Sequence, residues 1–206
     1  MRVCVVGSGA REHVLADVLG RTADEVVVTP GNPGIPGSTA APPEELAADL
    51  FVIGPEQPLV DGLADRLRAK GFLVFGPGNE GARLEGSKAW MKRVLEDAGV
   101  PTARYASFDA SQEDDAIAYL RDLPGFYVVK TDGLAAGKGV FVTELLSDAI
   151  DDVREKLSGR SFGEAGTRVV IEEGLSGPEL SLLCICDGER IVPLAPAQDY
   201  KRVYDG

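Results

Sequence analysis

Histidine is nearly missing from this sequence, with His13 the single example in 206 residues. That excludes metal centres built from several imidazoles and argues against Ser-His catalysis. Cysteine is also scarce: Cys4, Cys184 and Cys186 all sit in apolar, strand-like runs. They are expected to be buried thiols of a reducing cytosol. Cys184 and Cys186 share a strand face, but no second pair completes a zinc site. Positive charge is in deficit, with 21 Lys and Arg against 33 Asp and Glu and a formal net charge of −12. That charge, without a basic tail or stripe, argues against a general nucleic-acid or anionic-membrane binder. No apolar run approaches a membrane span, and Met1-Arg2 is expected to enter a strand directly rather than open a secretory leader.

What the chain has in quantity is glycine, 25 residues of it, and the glycines collect where strands end. Arg2 to Val6 reads as a buried strand closed by Gly7-Ser8-Gly9-Ala10-Arg11-Glu12-His13. A helix follows with apolar Val14, Leu15, Val18 and Leu19, stopped at Gly20. Val26 to Thr29 is a strand closed by Pro30-Gly31-Asn32-Pro33-Gly34, and Leu50 to Ile53 is another, closed by Gly54-Pro55-Glu56. One helix carrying Leu59, Leu63 and Leu67 leads to Gly71, then a strand from Phe72 to Phe75. This alternation predicts an open parallel sheet with helices on both faces and ligands beyond the carboxyl ends of its strands. Gly7-x-Gly9 is half of a dinucleotide fingerprint. Glu12 stands where the third glycine belongs and Thr29-Pro30 lacks the ribose-binding acid, so NAD is not indicated. What remains is either an anion site at a helix N-terminus, with Arg11 supplying charge, or a tight turn beside a surface arginine.

Further on, Ser87 caps a helix with Trp90, Val94 and Ala98 on one face. Lys88 in its first turn opposes the helix dipole, and reads either as a solvated lysine or as one serving a bound anion. Residues 101–108 look extended, and Ser111 caps a helix running to Leu123. The organising stretch follows: Tyr127-Val128-Val129-Lys130-Thr131 and Val140-Phe141-Val142 are two strands joined by Asp132-Gly133-Leu134-Ala135-Ala136-Gly137-Lys138-Gly139. Gly133, Gly137 and Gly139 are expected to take positive φ and approach a ligand closely, with Lys130 and Lys138 adding charge. The stretch reads equally as a hairpin with a long turn or as a flap over a polyphosphate. It is not a P-loop: the glycines are one residue too close, and Gly139 stands where a magnesium-binding hydroxyl belongs. A helix from Ser147 to Leu157, a loop from Gly159 to Gly163, and strands at Arg168–Ile171, Leu180–Cys186 and Ile191–Leu194 complete the pattern, with Asp187-Gly188 as a hairpin turn.

Six segments then agree in order: Gly7-x-Gly9-x-Arg11-Glu12-His13, Pro30-Gly31-Asn32, Gly54-Pro55-Glu56-x-Pro58-Leu59, Leu84-Glu85-Gly86-Ser87-Lys88, Lys130-x-Asp132 through Gly139, and Gln198-Asp199-x-Lys201-Arg202. In these the chain resembles, from residue 1 to 206, the phosphoribosylamine–glycine ligase (glycinamide ribonucleotide synthetase) family of ATP-grasp enzymes. The resemblance implies an α/β fold, an N-terminal open parallel sheet (pre-ATP-grasp, biotin-carboxylase-N-like) followed by an incomplete α+β ATP-grasp domain. Its implied divisions are residues 1–84 for substrate, 85–114 as the connecting helix and start of the ATP-grasp core, 115–175 as the lid, and 176–206 as the start of a second subdomain. It implies ATP-dependent joining of glycine to 5-phosphoribosylamine through a glycyl phosphate, in the cytoplasm, by a monomer without nucleic-acid or membrane partners.

By the same resemblance Lys130, Lys138, Lys201 and Arg202 serve catalysis. Lys88, Lys130, Gly133, Gly137, Lys138 and Gly139 hold the ATP phosphates, Glu172, Glu173 and Leu175 hold adenine, and Glu179 holds the ribose. Gly7, Gly9, Arg11 and Glu56, with Lys201 and Arg202, take phosphoribosylamine. Ala10 replaces a usual glycine, and Tyr200 a usual histidine. The family is roughly twice as long, and its Mg²⁺ or Mn²⁺ ligands, a Glu-x-Asn pair, are expected outside these residues, as is an Asn-Thr-Gly-Gly-Met-Gly stretch. The chain alone is therefore expected to bind nucleotide weakly and not to turn over. Another ATP-grasp carboxylate–amine ligase, or a non-catalytic nucleotide-binding module, are the alternatives.

Overall fold

Alternation of side chains along Arg2–Gly7 (β1) explains the first layer of the fold, because successive residues of a strand face opposite sides. The computed structural model describes residues 1–135, 137–160 and 167–200. Val3 and Val5 pack with Val28, Ile35 and Val52 on one face of the sheet, beneath Leu15, Ala16 and Leu19 of α1 (Ala10–Leu19). Cys4 and Val6 point the other way and join Phe51, Ile53, Leu59, Leu63 and Leu67. The strands β1, β2 (Glu25–Pro30), β3 (Leu50–Ile53) and β4 (Leu73–Phe75) are all parallel, in the order β2-β1-β3-β4. Helices cover both faces, as the sequence predicts.

Some local expectations are corrected. Val14 and Val18 are exposed, and the face of α1 packed on the sheet is Leu15, Ala16 and Leu19, each partly buried. The single helix expected after Glu56 is two, α2 (Glu56–Val60) and α3 (Leu63–Ala69), separated at Asp61-Gly62, where Gly62 takes φ +77°. Its leucine stripe is nevertheless buried as expected. A helix that the pattern did not announce, α4 (Asn79–Gly86), precedes α5 (Lys88–Asp97). The buried residues of α5 are Ala89 and Lys92, while Trp90 and Val94 are half-buried and Ala98 is exposed.

The second layer is an antiparallel sheet in the order β5-β8-β6-β7, from β5 (Tyr105–Asp109), β6 (Tyr127–Thr131), β7 (Val140–Thr143) and β8 (Arg168–Glu173). Tyr127, Val129, Val169 and Ile171 pack on Ala116 and Leu120 of α6 (Glu113–Asp122) and on Ala149 and Val153 of α7 (Leu146–Leu157). A 3₁₀ turn, Ala110–Gln112, precedes α6 and is capped by Asp109, which accepts from Ser111 N at 2.9 Å, rather than by Ser111. On the other sheet face lie Val128, Lys130, Val170 and Glu172. In the register Lys130 opposes Val170 and Val128 opposes Glu172, so Lys130 and Glu172 are diagonal neighbours.

Contacts divide the chain into Met1–Glu173 and Gly174–Gly206. In the second unit the expected strand from Leu180 to Cys186 is two, β9 (Glu179–Ser181) and β10 (Cys184–Cys186). Strand β11 (Ile191–Pro193) pairs with β10 across Asp187-Gly188, and β12 (Ala197–Asp199) pairs with β9. Cys184 and Cys186 are exposed, against the expectation of buried thiols, whereas Cys4 is buried. Among the described residues no helix is long and apolar enough to cross a membrane.

Candidate active site

The glycine turns gather at the carboxyl end of the parallel sheet. Glu12, only 4% exposed, folds back from α1, and its Oε2 accepts from Gly9 N at 2.7 Å. The carboxylate fills the space that a β-carbon on Gly7 or Gly54 would occupy, which accounts for glycine at both strand ends. Arg11 Nη1 donates to the Gly54 carbonyl at 2.8 Å and to Glu56 Oε1 at 3.2 Å. Asn32 Nδ2 donates to the Ser8 carbonyl at 2.7 Å, tying the second turn to the first. Glu56 heads α2. Its own backbone N–H, and then Arg11, hold its carboxyl below the usual carboxylate range, against burial. Of the residues expected to hold phosphoribosylamine, Gly7, Gly9, Arg11 and Glu56 thus share one set of turns.

The flap is anchored to α5. Ser87 Oγ accepts from Trp90 N at 3.1 Å and donates to Asp132, whose Oδ1 also accepts from Ala89 N at 2.7 Å. Lys88 Nζ donates to the Gly133 carbonyl at 3.0 Å. Burial lowers the Lys88 pKa, Asp132 opposes that shift, and nearby Lys130 adds to it. Only part of the glycine expectation holds. Gly137 takes φ +78°. Gly139 is needed for space, since a β-carbon there would collide with Thr131 Oγ1 and Ala135 Cβ. The flap closes on itself through Thr131 N donating to the Gly139 carbonyl at 2.8 Å.

Between flap and turns lies a cavity of about 530 Å³, bordered by Pro55, Glu56, Lys88, Ala135, Gly137 and Gly139 among others. It unites an expected substrate residue, Glu56, with three expected phosphate-site residues. Lys138 is exposed. Behind the flap, Lys130 Nζ pairs with Glu172 Oε1 at 2.7 Å, and Lys92 Nζ with Glu172 Oε2 at 3.0 Å. Glu173 Oε1 accepts from Arg104 N at 2.9 Å. Leu175, exposed, and Glu179, first residue of β9, belong to the second unit. Lys201, Arg202 and Ala136 lie outside the described residues. Sequence reasoning missed Asp132 as the anchor of α5, Asn32 as a tie between turns, and Lys92 altogether. A lysine one helical turn after Lys88 was the signal for the last.

A parallel sheet followed by an antiparallel sheet, with a glycine flap over a lysine-bearing cavity, defines the ATP-grasp class of fold. Solved structures support this at the level of fold: a D-alanyl-alanine synthetase A from Vibrio cholerae has TM-score 0.75 at 15% identity over 96% of this chain and 66% of that one. A phosphoribosylamine–glycine ligase from Thermotoga maritima has TM-score 0.83 at 33% identity over 100% of this chain and 52% of that one. Family models for phosphoribosylglycinamide synthetase match throughout, the N domain at residues 1–85 and the ATP-grasp (A) domain at residues 86–206. The chain belongs to the phosphoribosylglycinamide synthetase family. It is 46% identical over its whole length to the phosphoribosylamine–glycine ligase of Xanthomonas campestris and 43% identical to that of Vibrio cholerae, covering 51% of each. The chain thus spans about half the length of the curated relatives it matches.

Proposed function

We propose that the protein carrying this chain joins glycine to 5-phosphoribosylamine at the expense of ATP, forming a C–N bond in purine biosynthesis in the cytoplasm. The observation that carries the reading is the shared cavity: Glu56 from the sheet-end turns meets Lys88, Gly137 and Gly139 there. In this reading residues 1–84 hold phosphoribosylamine, 85–114 are the connecting helix and the start of the ATP-grasp core, 115–175 form the lid, and 176–206 begin a second subdomain. The Gly7-Gly9-Arg11 turn takes the 5′-phosphate of phosphoribosylamine and Glu56 its ribose hydroxyls. Lys88 and Lys130 neutralise phosphate charge, Lys138 and the flap close over it, and water is excluded from the activated carboxylate. Glu172, Glu173, Leu175 and Glu179 receive the nucleoside, and Lys201 and Arg202 approach the amine substrate.

The residues fit a nucleotide on one further point. Glu172 Oε1 is buried and lacks an aligned hydrogen-bond donor among the described residues, although Lys130 lies within ion-pair distance. ATP supplies the phosphoryl group that activates the carboxylate. Among the described residues no group of three or more His, Cys, Asp or Glu side chains is arranged to hold a metal ion, so the proposal assigns no step of this chain to Mg²⁺ or Mn²⁺.

The test is ADP release by the complete gene product. It is expected to require both glycine and phosphoribosylamine, and Lys130→Ala is expected to remove ATP binding in calorimetry. ADP release indifferent to phosphoribosylamine, or unchanged ATP affinity in Lys130→Ala, would refute the proposal.

A further inference from the structure

Lys92 has no part in the reading above, yet it is a lysine with 2% exposure. Three contacts lock it: Glu172 Oε2 at 3.0 Å, Thr102 Oγ1 at 2.7 Å, and the Tyr105 ring, whose centroid lies 5.3 Å from Nζ. Lys130 is held differently. Its side chain is 24% exposed, and its pair with Glu172 Oε1 is close at 2.7 Å but does not make an aligned hydrogen bond. Two lysines therefore share one buried carboxylate, and the more deeply buried of them has two further contacts.

We infer that Lys92 is a positioning residue that releases Lys130 to the nucleotide. The inference rests on the proposed ATP site. A buried carboxylate stripped of its counter-charge is strongly disfavoured. If Lys130 were the only partner of Glu172, turning toward a phosphate would leave such a charge behind. With Lys92 immobile on Oε2, the carboxylate stays compensated when Lys130 departs, and the surplus positive charge of the triad goes to the phosphates. Lys92 touches no ligand itself. It sets how freely Lys130 exchanges between Glu172 and phosphate.

The experiment is calorimetric titration of the complete gene product with ATP and, separately, with adenosine, which offers Lys130 no phosphate. Lys92→Met is expected to weaken ATP by roughly tenfold or more, with a smaller loss for adenosine. Lys92→Arg is expected to stay near the parent affinity. In a Glu172→Gln background the neutral amide no longer detains Lys130, so adding Lys92→Met should change ATP affinity little, a coupling that a double-mutant cycle reads directly. Equal losses for ATP and adenosine in Lys92→Met, no loss at all, or a further drop when Lys92→Met is added to Glu172→Gln would each overturn the inference. Should circular dichroism show that Lys92→Met alone does not fold, the comparison of Glu172→Gln with the double variant decides, since both charges are then removed together. A parent protein that binds neither ligand would instead sink the nucleotide site itself, whereas full ATP affinity in Lys130→Ala would overturn the inference together with the proposed role of Lys130.

Discussion

Lys88 and Lys92 stand one turn apart on α5, yet Lys88 borders the cavity while Lys92 is sealed against Glu172 and Thr102. Residue type fixes neither outcome; the partner on the facing strand or loop does. Cys4 makes the same point. Wedged in the sheet core at 0% exposure, its thiol is pushed by burial from 9.0 up to about 11. The sign follows from linkage. Between those two values the unfolded chain gives up its proton while the folded chain keeps it, so rising pH favours unfolding. The unfolding free energy from urea titrations is expected to fall between about pH 9 and pH 11 by an amount on the order of 3 kcal/mol, and Cys4→Ala is expected to flatten that part of the profile. Alkylation near pH 8 should label Cys184 and Cys186 and spare Cys4 until the chain unfolds.

Among the elements, the joint between α5 and the flap matters most for function. The first turn of any helix leaves backbone N–H groups without helical partners. Here Ser87 serves Trp90 N from within the chain segment, and Asp132 serves Ala89 N from 43 residues away. The root of the flap is therefore the cap of the helix that carries Lys88. Asp132→Ala is expected to cost about 1 kcal/mol and to lower the melting temperature measured by calorimetry by several degrees. It should also speed proteolytic cleavage between residues 133 and 139, because the loop loses its anchor. The unannounced helix α4 shows what patterning misses. Asn79–Gly86 carries two glycines and buries Ala82 alone, so it has no apolar stripe to read.

Across the larger fold, a turn at the end of the parallel sheet and the flap of the antiparallel one border one cavity, and the separate roles proposed for the two can be measured. Arg11 is tied to Gly54 and Glu56 at the end of the parallel sheet, whereas Lys130 belongs to the antiparallel one. Arg11→Ala is expected to raise KM for phosphoribosylamine by about tenfold or more while leaving KM for ATP near its parent value, a split that steady-state kinetics would show. Much of this was open to sequence reasoning. Hydrophobic alternation and glycine punctuation determined the succession of strands and helices along the chain, the parallel layer and the strands of the hairpin, because period and turn chemistry are local properties. Ordered motifs determined the family. Only the folded chain decided that Glu12 fills the turn behind Gly7 and Gly54, that Asp132 caps α5, and that Lys92 and Lys130 meet on Glu172. Those contacts join residues on different elements, many of them far apart in sequence, and the strand register that brings Lys130 and Glu172 together is set by packing that no local window contains.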